Sequence, residues 1–192
     1  MDDARSRMKR AALDLFAEQG YQATTVDGIA ARAGVTQRTF FRHFGDKGEV
    51  LFDDDGALLG VILGAVAAAP RDEEVTATVR RGLLALARHL EPAREELRRR
   101  AAVIDAEDRL RERELLKLDR WHRRLHAAMR ERGVAEPDAT LAVGLGAACF
   151  DAAYRAWLTD RARTGLARRV DRALDRAAAL AGGRARPGGS GG

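Results

Sequence analysis

Thr24 to Leu51 reads TTVDGIAARAGVTQRTFFRHFGDKGEVL. Ala30 is small where two helices must cross closely. Gly34, four residues later, stands where a tight inter-helix turn needs a left-handed backbone. Val26, Ile29, Ala33, Val35, Phe40 and Phe44 supply a compact core. Met8, Ala12, Leu15 and Phe16 form the matching stripe on the helix ahead of it. Thr36 is an N-cap for a helix that starts at Gln37. The stretch therefore reads as the second and third helices of a three-helix head, joined as a helix-turn-helix.

The third helix is too short to bury much by itself. Its outer face presents Gln37, Arg38, Thr39, Phe41, Arg42 and His43, which are donors and a flat ring suited to groove edges and phosphates. Asp46 and Glu49 have the spacing of a capping box. That box puts Lys47 at a helix N-terminus, where free N–H groups and a cation make a phosphate site. Bulk charge adds little. There are 34 Lys and Arg against 29 Asp and Glu, a net of +5, and mixed charge of this kind also describes solvated helix faces.

From Leu15 to Leu51 the segments LFAEQGY, TTVDGIAARAGVTQRTFFRHF and DKGEVL resemble the DNA-binding domain of the TetR (tetracycline-repressor-like) family. The resemblance implies an all-helical homodimer with a three-helix DNA-binding head and a larger ligand-binding body. It implies phosphate contacts for Thr39, His43 and Lys47 and base reading around Gln37 and Arg38. Thr25, Thr36, Phe41 and Arg42 complete the set expected at DNA. Two positions depart from the family. Phe41 stands where Tyr is common and lacks the hydroxyl that meets a phosphate, which leaves packing on the sugar–phosphate backbone. Gly28 stands where an acid often completes a cap, and Asp27, three residues after Thr24, is the substitute.

The rest of the chain repeats helical periodicity, rich in Ala, Leu, Arg and Glu. The reading is all-α, with nine helices near 3–19, 25–33, 36–43, 46–68, 72–91, 93–107, 109–132, 138–159 and 164–181. Gly20, Gly34, Gly45, Pro70, Pro92, Gly133, Pro137 and Gly165 fall between them. The join of the sixth and seventh has no breaker. The domains are expected at 1–45 (DNA-binding), 46–181 (ligand-binding and dimerisation) and 182–192, a disordered tail. The G-x-S-x-G around Ser190 in that tail lacks the preceding strand its chemistry needs. The lone Cys149 excludes an intrachain disulfide and fits a reducing cytoplasm. MDDARSRMKR has no apolar stretch behind it, so no signal peptide is expected. The uncharged run Gly56–Ala69 is too short for a bilayer.

That run, GALLGVILGAVAAA, is apolar on all sides and reads as a buried helix continuous with the head. Leu86, Leu90, Ile104, Leu118, Trp121, Leu125, Phe150 and Tyr154, with Leu83 and Val103, are candidates to line a ligand pocket; filling the core is the competing reading. Trp121 and Tyr154 stand out because their polar atoms need partners when buried. The R-E-x-x-K-L portion at Arg113–Leu118 resembles the C-terminal domain of mycofactocin-type regulators, which implies an acyl-CoA-like ligand. Arg98, Arg99 and Arg100 could meet its phosphates, or form a solvated face. His122 and His126 are i, i+4 without a fixed third ligand, so no metal is expected. The eighth and ninth helices carry broad apolar faces, and by the resemblance they pair with their copies across a two-fold axis. Neither a metal triad, a phosphate loop nor a supported Ser-His-Asp order is present, so no catalytic residue and no cofactor is expected. Three functions follow in order: a regulator, a repressor released from a double-stranded DNA operator by a small apolar effector; a helical enzyme using the body as a substrate cavity; and a DNA-binding protein without a ligand.

Overall fold

The computed structural model describes residues 3–160 and 164–182. Among these the α-helices are, in chain order, α1 (Ala4–Gln19), α2 (Val26–Ala33), α3 (Gln37–His43), α4 (Asp55–Ala67), α5 (Val75–Leu90), α6 (Arg94–Asp105), α7 (Asp108–Glu131), α8 (Glu136–Thr159) and α9 (Leu166–Ala181). Short 3-10 turns occupy Glu49–Phe52 and Glu91–Ala93, and no strand is found among the described residues. The fold is all-α, as the periodicity requires. The tail beyond Gly182, with Ser190, lies outside the described residues.

The chain gathers into two compact units. Among the described residues, the first joins those up to Gly56 with Glu95–Leu118; the second joins Ala57–Arg94 with those from Asp119 to Gly182.

In the first unit, Asp3 caps α1 by accepting from Ser6 N–H at 3.0 Å. This bond, ahead of the opposing effect of desolvation, holds its carboxyl below the usual range. Met8, Ala12, Leu15 and Phe16 bury the predicted stripe against Ile29, Ala30 and Ala33 of α2 and Phe40 and Phe44 of the α3 end. α2 closes with a Schellman pair: Gly34 N–H donates to Ala31 O and Val35 N–H to Ala30 O, with Gly34 at φ 66°, a conformation that glycine enters without a Cβ penalty. Val103 and Ile104 of α6 and Leu110 of α7 join the same core. Here the 3-10 turn buries Phe52 under three cations, with Arg100 and Arg113 Cζ at 5.2 and 4.8 Å and Lys117 Nζ at 5.9 Å from its ring centre. Glu114 binds two of them, accepting from Arg100 Nη2 and Lys117 Nζ at 2.7 Å each. Arg100 also donates to Leu51 O at 2.6 Å.

In the second unit, α5, α8 and α9 pack against one another. A Cβ on Gly146 would lie 2.7 Å from Val79 and 3.0 Å from Leu83, so this α8–α5 crossing depends on the missing side chain. Leu166 and Val170 of α9 are fully buried. Arg80 of α5 pairs with Asp171 at 2.7 Å and with Asp175. The first turn of α9 has no side-chain cap of its own; instead Ala167 N–H donates to Glu91 Oε1 at 2.9 Å. Arg94 does the converse at the end of α8, donating to Trp157 O and Asp160 O.

Two expectations are corrected. The helix placed at 46–68 is a 3-10 turn followed by α4 from Asp55. Nor is α4 buried all round: only Ile62 and Val66 are, while Gly56, Gly60 and Gly64 are exposed. Its outer face is glycine and alanine, which makes the sequence look uniformly apolar without supplying side chains to bury. At the unmarked α6–α7 join, Arg111 reaches back to Asp105 O and Asp108.

Candidate nucleic-acid interface

Both helices of the helix-turn-helix start on threonine caps. Thr25 Oγ1 accepts from Gly28 N–H and Thr36 Oγ1 from Thr39 N–H, both at 3.1 Å. Each satisfies an N–H that the first helical turn leaves free. The cap of α2 is thus Thr25, one residue later than the pairing of Thr24 with Asp27. Thr24 is buried and donates its hydroxyl to Gly20 O at 2.8 Å. Asp27 instead accepts from Gln37 Nε2 at 3.2 Å, fastening the start of α3 to α2.

Phe40 and Phe44 point inward, so helical geometry turns Arg38 and Arg42 outward; Gln37, the first residue of α3, and Phe41 are exposed with them. Thr39 and His43 lie half-buried on one flank. Phe41 is 54% exposed yet held edge-on against Phe40, with centroids 5.7 Å apart and rings at 88°. Arg38 and Arg42 make no hydrogen bond or ion pair among the described residues. Two fixed-geometry donors beside an amide and an apolar ring form a face that can meet base edges and phosphates together.

Lys47 departs from its expected setting. Its ammonium donates to Tyr21 O at 2.7 Å, Thr24 O at 2.8 Å and Gln22 O at 3.3 Å, and sits 4.4 Å from the centre of the Tyr21 ring. It clasps the α1–α2 turn. Asp46 accepts from Glu49 N–H at 2.7 Å, while Glu49 reaches one residue further back and accepts from Gly45 N–H at 2.5 Å.

The eight body residues singled out in the sequence are dispersed. Ile104 is in the first unit's core. In the second unit, Leu86, Leu90 and Leu125 are buried, and Phe150 and Tyr154 stack at 6.1 Å. Two open grooves there, of about 410 and 500 Å3, are lined by none of the eight. Leu86, Leu90, Ile104 and Leu125 are core residues, whereas Leu118, Trp121, Phe150 and Tyr154 are half-buried. The arginine triplet also separates: Arg98 pairs with Glu95, Arg99 with Asp14 and Arg100 with Glu114. His126 lies 3.1 Å from Glu136, and no metal-holding group of three is found among the described residues. Trp157, which the sequence reading passed over, is the buried aromatic of α8, with Arg94 Cζ 5.5 Å above its ring.

Residues 10–53 match the model of bacterial regulatory proteins of the tetR family. That match covers the head, from α1 to the 3-10 turn, and no more of the chain. Over 69 residues the chain is 44% identical to the HTH-type transcriptional regulator TcmR of Streptomyces glaucescens, a match covering 36% of this chain and 30% of that one. It is 44% identical over 50 residues to SrpR of Pseudomonas putida, covering 26% and 24%. The chain thus spans under a third of the length of these relatives. Full-length likeness is one of fold. FadR, a fatty acid degradation regulator from Bacillus halodurans, superposes with a TM-score of 0.69 at 20% identity over 97% of this chain and 99% of that one. The FadR repressor of Thermus thermophilus, solved with lauroyl-CoA, gives 0.60 at 23% identity, covering 98% and 99%. Among the described residues, no helix is long and apolar enough to cross a membrane.

Proposed function

We propose that the chain is a ligand-responsive DNA-binding regulator of the TetR type, a repressor acting as a homodimer and not an enzyme. One observation carries this reading: a doubly capped helix-turn-helix whose third helix presents Gln37, Arg38, Phe41 and Arg42 to the outside, with both arginines uncommitted. Thr25, Thr36, Thr39 and His43 surround that face and position it on the backbone. The effector is a small, mainly apolar molecule; the lauroyl-CoA complex of the Thermus repressor and the triclosan complex of SmeT are complexes of proteins with this fold. To act, the effector must bind the DNA-released conformation more tightly than the DNA-bound one. A ten- to hundredfold loss of operator affinity needs about 1.4–2.8 kcal/mol of such preference.

The test is selection of bound fragments from the source genome, followed by Arg38→Ala on the selected operator. Arg38→Ala should relax sequence preference and cost about 1–3 kcal/mol. Binding with no sequence preference in the wild-type chain would reject the regulator reading.

A further inference from the structure

The groove of about 410 Å3 in the second unit lies between the C-terminal halves of α4 and α7, and its volume is within the range of small-molecule sites. Leu63, Val66 and Ala67 from α4 and Ala127 and Ala128 from α7 wall it. These side chains carry no donor or acceptor, so a sugar or peptide placed on them would lose hydrogen bonds to water without replacing them.

The rim is charged by Arg71, Arg124, Arg132 and Glu131. Arg132 is committed: it donates to Val66 O and Ala69 O at 3.1 Å each and to Pro70 O, fastening the turn that follows α4. Arg71 and Arg124 have no hydrogen bond or ion pair among the described residues. Three guanidiniums against one carboxylate leave this rim net positive.

The flank of α4 gives an independent indication. Gly60 and Gly64 are exposed, and a Cβ on either would meet nothing within 4 Å. Glycine is less favourable than alanine inside a helix, and no packing among the described residues calls for it here. Spacings of three and seven residues put Gly64 and Gly60 on the side of α4 that carries Ala67. The result is a flat backbone strip bordering the groove, against which an extended chain can lie.

We infer that this groove binds an amphipathic anion, with a linear apolar chain along α4 and a carboxylate or phosphate head held by Arg71 and Arg124. The inference rests on the proposed regulator reading, for which it supplies the effector class and site.

The test uses the full chain and three probes below their micelle concentrations: dodecanoate, dodecyl phosphate and dodecyltrimethylammonium. Calorimetric titration should show saturable binding of at least one anion. The better anion identifies the head group. Arg71→Ala/Arg124→Ala should weaken it by about tenfold or more, with helix content and melting temperature unchanged. Ala127→Phe, which fills the groove, should abolish binding; Thr76→Phe, at an exposed position of α5, serves as a surface control. No anion binding in the wild-type chain, equal binding of the cation, or undiminished affinity in the double variant overturns the inference. Operator binding measured without any amphiphile is the separate readout for the regulator reading: its loss in the wild-type chain rejects that reading while leaving the groove titration to stand or fall by itself.

Discussion

A single ammonium separates what holds the head together from what it offers to DNA. Lys47 bridges three carbonyls of the α1–α2 turn, and hydrogen bonds to a charged donor are worth more than neutral ones. Lys47→Ala should therefore lower unfolding stability by about 1–3 kcal/mol, read by urea denaturation, and leave the salt dependence of DNA binding to Arg38 and Arg42. An unchanged denaturation midpoint with a salt slope reduced by about one would return Lys47 to the phosphate backbone. The charged cluster under Phe52 makes a second prediction. Burial raises the Glu114 carboxyl, but Arg100 and Lys117 outweigh it and leave it below its ordinary value. A carboxyl depressed in the folded state contributes stability above its unfolded pKa, which is lost as pH falls through the folded one. Burial, reinforced by Arg100 and only partly offset by Glu114 and Asp55, pushes the Lys117 ammonium below its ordinary value. The folded chain then binds fewer protons than the unfolded chain, so stability rises with pH up to the ordinary lysine range. Lys117→Met should remove that alkaline rise and also shrink the acid loss, since Glu114 then keeps only Arg100 of its two cations, as followed by denaturation from pH 3 to pH 10.

Whole helices show which sequence signals are reliable. The turn at Gly34 and the Thr36 cap were legible because each is satisfied within four or five residues. The core stripe of α1 was legible because its period is fixed. Lys47 was not, since its partners are backbone carbonyls, which leave no mark on residue identity. Neither was the exposure of α4, because glycine and alanine read the same on a buried face and a bare one. Glycine itself divides accordingly. Gly146→Val should destabilise by about 1–3 kcal/mol through overpacking against Val79 and Leu83. Gly64→Ala should stabilise by roughly 0.5–1 kcal/mol, because the added Cβ meets nothing. Thermal melts of the two variants moving in the same direction would contradict this division.

For the molecule as a whole, Leu141 and Leu145 on α8 and Leu180 on α9 are 70%, 46% and 55% exposed, an apolar cost that a second copy would relieve. Light scattering should give a dimer at micromolar concentration, and Leu141→Glu/Leu145→Glu should give a folded monomer with weaker operator binding. A wild-type monomer in the presence of operator would end that reading. Long-range pairs such as Arg100 with Glu114, or Glu91 with Ala167, were beyond sequence reasoning because nothing local announces the partner. The two units are also interleaved along the chain, with Ala57–Arg94 inserted between the two segments of the first unit. This has a consequence for synthesis. A ribosome that has just released Gly56 has made α1, α2 and α3 but not Val103, Ile104 or Leu110, which complete their core. By the time those emerge, Ala57–Arg94 is also outside the tunnel, waiting for α8 and α9. Neither unit can finish before the other has begun, so a nascent chain stalled midway holds two incomplete cores at once and is most exposed to aggregation there.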